Sequence, residues 1–186
     1  MIRPWLSQFA LLLVALGRMH AMTLMLTAPL DYQVIQRENR SLGIIPIEGR
    51  LADAETKDVT LEGRIVTDGK TGEWRKLPVT FNGGRFSATI ESLAGGWHRL
   101  EMRALSGDSV LAEAAVDHVG VGEVFVVAGQ SNAANYGQER QSTKSGQVVT
   151  FDGERWQFSN DPQPGARGHN GDAFVFPHRQ YKIRAR

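Results

Sequence analysis

The sequence predicts a β-sandwich followed by the first part of an α/β domain, and three observations carry this prediction. Short runs with β-type alternation recur between turn signals from about residue 22 to residue 118. An unbroken apolar run, residues 124–128, then leads into Gly129. Residues 132–186 are too few to complete a doubly wound sheet, which needs roughly 150 residues or more. We therefore expect a sandwich over residues 22–118 and an incomplete second domain over residues 119–186.

The first 21 residues have the features of a secretory signal peptide. Arg3 supplies a positive charge, and residues 9–16 form an apolar core that is too short to span a bilayer. The sequence Met19-His20-Ala21 is a fair cleavage site. We expect a secreted or periplasmic protein; the alternatives are an uncleaved N-terminal anchor and a mis-assigned start.

Composition excludes several classes of function. The net charge of +1 gives no reason to expect a nucleic-acid partner. The absence of cysteine excludes disulfides, thiol nucleophiles and thiolate metal sites. His98 and His118 have no partner at metal-site spacing, so we expect them to be structural or solvent-facing.

Six runs between residues 22 and 118 are predicted to be strands. Apolar and polar residues alternate in them, as in Phe86, Ala88 and Ile90, so that one face of each strand is buried. Turns with Asp-Gly, Asn-Gly-Gly, Gly-Gly and Ser-Gly-Asp sequences separate them. This spacing is typical of an immunoglobulin-like sandwich. The predicted strands are residues 32–36, 43–47, 59–66, 85–90, 97–103 and 110–116.

Two tryptophans beside glycine-rich turns are candidates for stacking on a sugar ring. Trp97 lies in a predicted strand and is more simply explained as a packing residue. Trp74 lies in a polar stretch and is the better candidate for an exposed platform.

Residues 124–132 (Val-Phe-Val-Val-Ala-Gly-Gln-Ser-Asn) are the strongest candidate for chemistry. Residues 124–128 suit a strand buried on both faces of a parallel sheet, and Gly129 permits a sharp turn after it. Ser131 would then lie at the carboxyl end of that strand, where open α/β sheets bind ligands. A helix beginning there would direct unpaired N–H groups at an oxyanion. The alternative is that Ser131 only caps the helix.

The motif Gly129-Gln130-Ser131-Asn132 after a hydrophobic strand resembles the first block of the SGNH hydrolases. Within that family it is similar to the sialate O-acetylesterases and related carbohydrate acetyl esterases, and residues 121–125 also look like that branch's entry to the strand. The resemblance implies a flavodoxin-like three-layer α/β domain with Ser131 as nucleophile. It also implies an acetylated carbohydrate as substrate and neither a metal nor an organic cofactor.

Downstream of the motif, the sequence predicts a hairpin and then a glycine-rich loop. Residues 148–151 and 155–158 flank Asp152-Gly153, a hairpin turn signal. The resemblance implies that a glycine beyond it supplies an oxyanion-hole N–H together with Ser131. Gly171 is the first choice and Gly168 the second, and a plain flexible loop is the alternative.

The base that would activate Ser131 is missing from the expected place. The family's Gln-Gly-Glu and Asp-x-x-His motifs do not occur, and His169 and His178 are the only histidines after Ser131. A serine without a base is a poor nucleophile. The chain also turns basic near its end, so we expect the catalytic domain to be cut short after about Gly171; the alternative is a natural basic tail.

Two functions from different classes therefore remain. The first is a carbohydrate O-acetyl esterase that uses Ser131, with the activity of this chain left open by the missing base. The second is an exported β-sandwich that binds carbohydrate or another partner and carries a remnant of hydrolase sequence. We expect no nucleic-acid partner and no integral membrane domain, and the sequence leaves the oligomeric state open.

Overall fold

The computed structural model describes residues 22–52, 58–127 and 139–161. The predicted signal peptide, the Gly129–Asn132 motif and the predicted oxyanion glycine Gly171 lie outside these residues. Twelve strands occur in the described residues: β1 Thr23–Ala28, β2 Gln33–Gln36, β3 Leu42–Ala52, β4 Val59–Thr67, β5 Lys70–Thr71, β6 Arg75–Lys76, β7 Thr80–Asn82, β8 Arg85–Leu93, β9 Trp97–Ser106, β10 Ser109–Gly122, β11 Val149–Phe151 and β12 Trp156–Phe158.

The first ten strands form two sheets that pack as a β-sandwich. One sheet has the order β1-β3-β8-β7, and the other has the order β2-β10-β9-β4-β5, with β6 also pairing with β4. All pairs are antiparallel except β2 with β10, which run parallel. The predicted sandwich and its six strands are confirmed, and β1 and the short strands β5 to β7 are additional.

Period-two alternation builds the core. In β8 every second residue is buried, so Phe86 and Ile90 point inward while their neighbours face solvent. Strand β9 alternates in the same way and supplies Leu100 and Met102, both fully buried. Both sheets contribute to a single hydrophobic cluster: Leu24, Ile45, Ile47, Leu51, Leu61, Leu77, Phe86, Ala88, Ile90, Leu100, Met102, Ala104, Val116, Val119 and Val121.

The sandwich extends to Gly122, four residues past the predicted boundary at residue 118. Strand β10 continues through these residues, and its Val119 and Val121 are almost completely buried. Gly120 is part of the sheet. A Cβ at this position would lie only 3.0 Å from the Trp97 ring and 3.1 Å from Val34, so the glycine permits close packing.

The predicted buried strand is wrong for residues 124–127. They form no strand, and Phe125, Val126 and Val127 are 75% to 80% exposed. A strand buried on both faces needs strands paired along its edges and other elements packed on each face, and within the described ranges no strand pairs with these residues. The described residues therefore do not show the predicted α/β domain.

The predicted hairpin after the motif is confirmed. Strands β11 and β12 pair antiparallel, with Phe151 opposite Trp156. Asp152 closes the turn, because its carboxylate accepts hydrogen bonds from the main-chain N–H groups of Glu154 and Arg155. Gly153 lies in the turn with a φ of 104°, a conformation that favours glycine.

Replacement of Gly49 by alanine tests the packing between the strands of the first sheet. A Cβ at Gly49 would lie 2.4 Å from the Phe86 ring and 2.5 Å from the Met25 carbonyl oxygen, and that carbonyl is main chain. We expect Gly49→Ala to lower the free energy of unfolding by about 3 kcal/mol in a urea titration. In the matched variant Gly122→Ala, the nearest atom is Val34 Cγ1 at 3.7 Å, so we expect a loss below about 1 kcal/mol. Equal losses in the two variants would contradict the packing argument.

Candidate functional site

The structure describes the chain on both sides of the predicted nucleophile motif but not the motif itself. Ser131, Gly129, Gln130 and Asn132 lie between the described residues 127 and 139. The surroundings of the motif are therefore described from the two segments that flank it. One is the point where the chain leaves the sandwich after Gly122, and the other is the segment 139–161, where it contacts the sandwich again.

The chain leaves the sandwich through a cluster that we call the exit latch, formed by Gln36, Arg37, Glu123 and Val124. The Glu123 carboxylate accepts hydrogen bonds from Gln36 Nε2 at 2.9 Å and from Arg37 Nε at 2.7 Å. The Gln36 side-chain oxygen accepts a hydrogen bond from the Val124 N–H at 2.8 Å. Hydrogen bonds from Gln36 and Arg37 lower the pKa of Glu123, so the carboxylate is charged at neutral pH.

The chain meets the sandwich again at a group that we call the return cluster, formed by Tyr32, Trp97, His118, Gly146 and Phe158. Trp97 Nε1 donates a hydrogen bond to the Gly146 carbonyl oxygen at 2.8 Å. The Tyr32 ring contacts Phe158 edge-on at a centroid distance of 4.9 Å and Trp97 at 5.4 Å. Trp97 is therefore a packing residue, as its position in a strand predicts, and it holds the returning chain.

An aspartate fixes the histidine of the return cluster. The His118 ring stacks on Tyr32 with centroids 4.2 Å apart, and its Nδ1 lies 3.1 Å from Asp31 Oδ1. The same carboxylate oxygen accepts a hydrogen bond from the His118 main-chain N–H. Sequence reasoning missed this pair because Asp31 and His118 are 87 positions apart and no local pattern connects them. The contacts agree with the structural role predicted for His118.

Trp74 lies over two ion pairs that join strands β4 and β9 on the outer face of the larger sheet. Arg64 of β4 pairs with Glu101 of β9, and Arg103 of β9 pairs with Glu62 of β4, each at 2.7 Å. The two residues of each pair are directly opposite each other in the sheet. The Cζ atoms of both arginines lie 4.3 Å from the centroid of the Trp74 ring. Trp74 is half-buried against the protein's own cations, so it is not the fully exposed platform that its polar neighbours predict.

His98 is the buried histidine of the sandwich, with a relative exposure of 1%. Its Nδ1 lies 2.8 Å from the Thr67 hydroxyl oxygen, and its Nε2 has no hydrogen-bond partner among the described residues. Burial lowers the pKa of His98, against the opposing influence of Leu93 and Gly95 main-chain groups and of Asp68. His98 is therefore neutral at physiological pH and structural, as predicted.

Neither a metal centre nor a membrane span is found in the described part of the chain. It contains no group of three or more histidine, aspartate or glutamate side chains placed to hold a metal ion. No helix within these ranges is long and apolar enough to cross a membrane.

No protein-family model and no curated protein matches the chain.

Truncation of Trp74 tests its role over the ion pairs. We expect Trp74→Ala to lower the free energy of unfolding by about 1 to 2 kcal/mol, because two cation–π contacts are lost. In the matched variant Trp74→Phe an aromatic ring remains, so the loss should be smaller. Urea unfolding measures both values. Unchanged stability in Trp74→Ala would contradict a stabilising role for the ring.

The pH dependence of stability tests the burial of His98. Since its pKa is lower in the folded than in the unfolded chain, its contribution is complete above the ordinary value of 6.5 and is lost as the pH falls below that value. We expect His98→Gln to flatten the dependence of unfolding free energy on pH between 6.5 and 5, by at most about 1.4 kcal/mol per pH unit.

This range avoids Glu101, whose pKa lies below the ordinary 4.5 because Arg99 and Arg64 donate hydrogen bonds to it. The comparison is made by urea unfolding at each pH. An identical slope for the parent chain and His98→Gln would mean that His98 protonates without cost.

Proposed function

We propose that this chain is a carbohydrate O-acetyl esterase of the SGNH type, with Ser131 as the nucleophile. The observation that carries the proposal is the course of residues 123–127. The chain leaves a closed sandwich at the exit latch and continues as four exposed apolar residues directly before Ala128 and the Gly129-Gln130-Ser131-Asn132 motif.

The exposure of residues 125–127 supports the proposal, because apolar side chains are unfavourable in water unless they become covered. Phe125, Val126 and Val127 are adjacent and each at least 75% exposed, whereas apolar residues on a soluble surface are usually scattered singly. Side chains on both faces of an extended segment are apolar only where both faces become covered. We propose that these exposed side chains pack against the esterase domain that carries Ser131.

The sandwich is proposed to be immunoglobulin-like in detail. The strands of that fold are lettered in chain order. Strands A, B, E and D form one sheet, and strands C, F and G form the other. The order β1-β3-β8-β7 corresponds to A-B-E-D, and β10-β9-β4 corresponds to G-F-C. A sandwich of this kind preceding the catalytic domain agrees with the arrangement common among the esterases that the motif resembles.

The proposed reaction is acyl transfer to serine and then to water. Ser131 Oγ attacks the ester carbonyl carbon while a histidine takes the hydroxyl proton. The main-chain N–H groups of Ser131 and Gly171 hold the oxyanion, and the sugar hydroxyl leaves with the proton from the histidine. Water then releases acetate from the acyl-enzyme. His169 and His178 are this chain's own candidates for the base, and the reaction needs no cofactor.

The cellular location and the substrate class are consistent with each other in this proposal. The secretory features of residues 1–21 would bring the protein to the periplasm or the cell exterior. An exported esterase would meet acetylated glycans outside the cytoplasm.

Hydrolysis of p-nitrophenyl acetate by the purified chain and by Ser131→Ala tests the proposal. We expect turnover that falls at least about 100-fold in the variant, because the covalent route is removed. A fluorophosphonate probe should label the parent chain at Ser131 and leave the variant unlabelled, since only an activated serine reacts quickly.

Equal background rates together with no labelling would overturn the esterase proposal for this chain. That result would leave the sandwich as a binding or interaction module. The control is Ser142→Ala, which removes a hydroxyl from the described segment 139–161 and should change neither readout.

A further inference from the structure

One side of strand β10 has no partner strand over the first half of its length. Strand β9 pairs with one side of β10 from Ser109 to Gly120, whereas β2 pairs with the other side only from Val119 to Gly122. Within the described residues, no strand pairs with that second side before residue 119. In an antiparallel pair, alternate residues direct their N–H and C=O groups away from the partner strand. The first half of β10 therefore presents unpaired main-chain groups.

The burial of two alanines agrees with an open side of the sheet. Ala112 and Ala114 pack against the core but are partly exposed. Their partners in β9, Ala104 and Met102, are completely buried. The difference arises because β9 lies between two strands, whereas no strand of the described residues lies beyond β10 at this level of the sheet.

This side of β10 lacks most of the features that protect sheet edges from further pairing. Residues 112–116 (Ala-Glu-Ala-Ala-Val), which we call the open edge, contain one charged residue and neither lysine nor proline. The register shifts between Val110 and Ala112 and again between Val116 and Val119, which leaves these five residues in regular pairing with β9. By contrast, the edge strands β2, β5 and β7 have only two to four residues. A regular edge with little charge is suited to the addition of an extended strand.

We propose that the open edge pairs with the open edge of a second copy of this chain. The two β10 strands run antiparallel about a two-fold axis at Ala114. Such an interface uses the same surface of both copies, so the assembly closes at two chains. The larger sheets of the two sandwiches then form one continuous sheet. This pairing is independent of the proposed esterase function.

The acidic residues of β10 favour this register. An axis at Ala114 sets Glu113 of one copy opposite Ala115 of the other. An axis at Glu113 would set two glutamates opposite each other, and an axis at Ala115 would set Glu113 opposite Asp117. Like charges directly opposite each other destabilise a strand pair. The axis at Ala114 keeps the carboxylates apart.

The start of β2 limits the register in the same sense. The His118 main-chain N–H donates a hydrogen bond to the Asp31 carboxylate, so the edge of β10 is already occupied at residue 118. With the axis at Ala114, Ala112 of the second copy lies opposite Val116, short of this point. An axis one residue further along β10 would set that alanine opposite His118 itself. The space beside β10 therefore accommodates the open edge of a second copy and no longer overlap.

Oxidative crosslinking of Ala114→Cys tests the pairing. The chain has no cysteine of its own, so a covalent dimer forms only through the introduced thiol. Residues directly opposite each other in an antiparallel pair have Cα atoms about 4.5 to 5.5 Å apart, within the range that a disulfide spans. We expect Ala114→Cys to form a covalent dimer, measured by non-reducing electrophoresis.

The matched crosslinking variant is Ala115→Cys. With the axis at Ala114, the two copies of position 115 are diagonal neighbours about 7 to 8 Å apart, too far for an unstrained disulfide. We expect Ala114→Cys to crosslink at least about tenfold faster than Ala115→Cys. Random collision would give the opposite order, because Ala115 is the more exposed of the two residues.

Sedimentation equilibrium of the full chain tests the register without a crosslink. We expect the parent chain to show a reversible monomer–dimer equilibrium. Ala115→Glu sets a carboxylate opposite Glu113 of the second copy, and the contact occurs twice, so the dissociation constant of the dimer should rise about fivefold or more. Addition of Glu113→Lys to this variant creates an opposite-charge pair and should lower the constant again.

Thr89→Glu is the matched control for charge. It adds a carboxylate at an exposed position of β8, which has a strand on each side, so the dissociation constant should stay at the parent value. Urea unfolding of each variant checks that the fold is retained.

Three results would overturn the proposal. A parent chain that remains monomeric at about 0.5 mM would leave the edge to a strand from a different protein or to none. Equal crosslinking at positions 114 and 115 would exclude the register. A dimer that responds to Phe125→Ser but not to Ala115→Glu would place the contact at the exposed residues that follow the sandwich.

Discussion

The parallel pairing of β2 with the end of β10 is the constraint on which the rest of the described structure depends. It aligns Gln33 to Gln36 with Val119 to Gly122 and is continued at both ends by main-chain hydrogen bonds. The Tyr32 N–H donates to the His118 carbonyl oxygen at 2.7 Å, and Arg37 bonds in the same way to Gly122. Through this pairing, residues near the start of the sandwich meet the point where the chain leaves it.

The pairing also explains an unfavourable backbone conformation. Tyr32 has a φ of 60°, which is uncommon for a residue other than glycine and costs of order 1 kcal/mol or more. The surrounding contacts hold it there: its N–H bonds to His118, and its ring packs between His118, Trp97 and Phe158. The strained residue is therefore the one that joins the sandwich to the segment after it.

Local sequence patterns were sufficient to predict the sandwich, because the residues within each long strand specify which of its faces is buried. In β8 and β9 the alternation of apolar and polar residues specifies which face is buried, and a one-residue slip would expose that face. Strand β1 was missed because its partner β3, 20 or more positions away, decides that it is a strand. Short strands such as β5 and β6 depend in the same way on pairing with β4.

Contacts between distant residues explain where the sequence prediction failed. The predicted domain boundary at residue 118 misses the end of β10, where the Trp97 ring and Val34 explain why position 120 has no side chain. Residues 124–127 have the composition of a buried strand, but burial depends on neighbours, and the described residues supply none. The latch at Glu123 and the pair Asp31–His118 join residues 86 to 88 positions apart, which no motif reveals.

The two tryptophans show why site prediction needs these distant contacts. Both lie beside glycine-rich turns, yet each has its role fixed by partners far along the chain. Trp97 has its indole N–H paired with Gly146, so a ligand that competed for this group would have to displace the returning segment. Trp74 is held by Arg64 and Arg103, whose charges are already balanced by carboxylates across the sheet.

A sugar that stacked on Trp74 would thus meet a surface with little net charge. A sugar at Trp97 would meet an occupied contact. The geometry therefore assigns both rings to holding the sandwich, and the segment that contacts it after Gly122, in place.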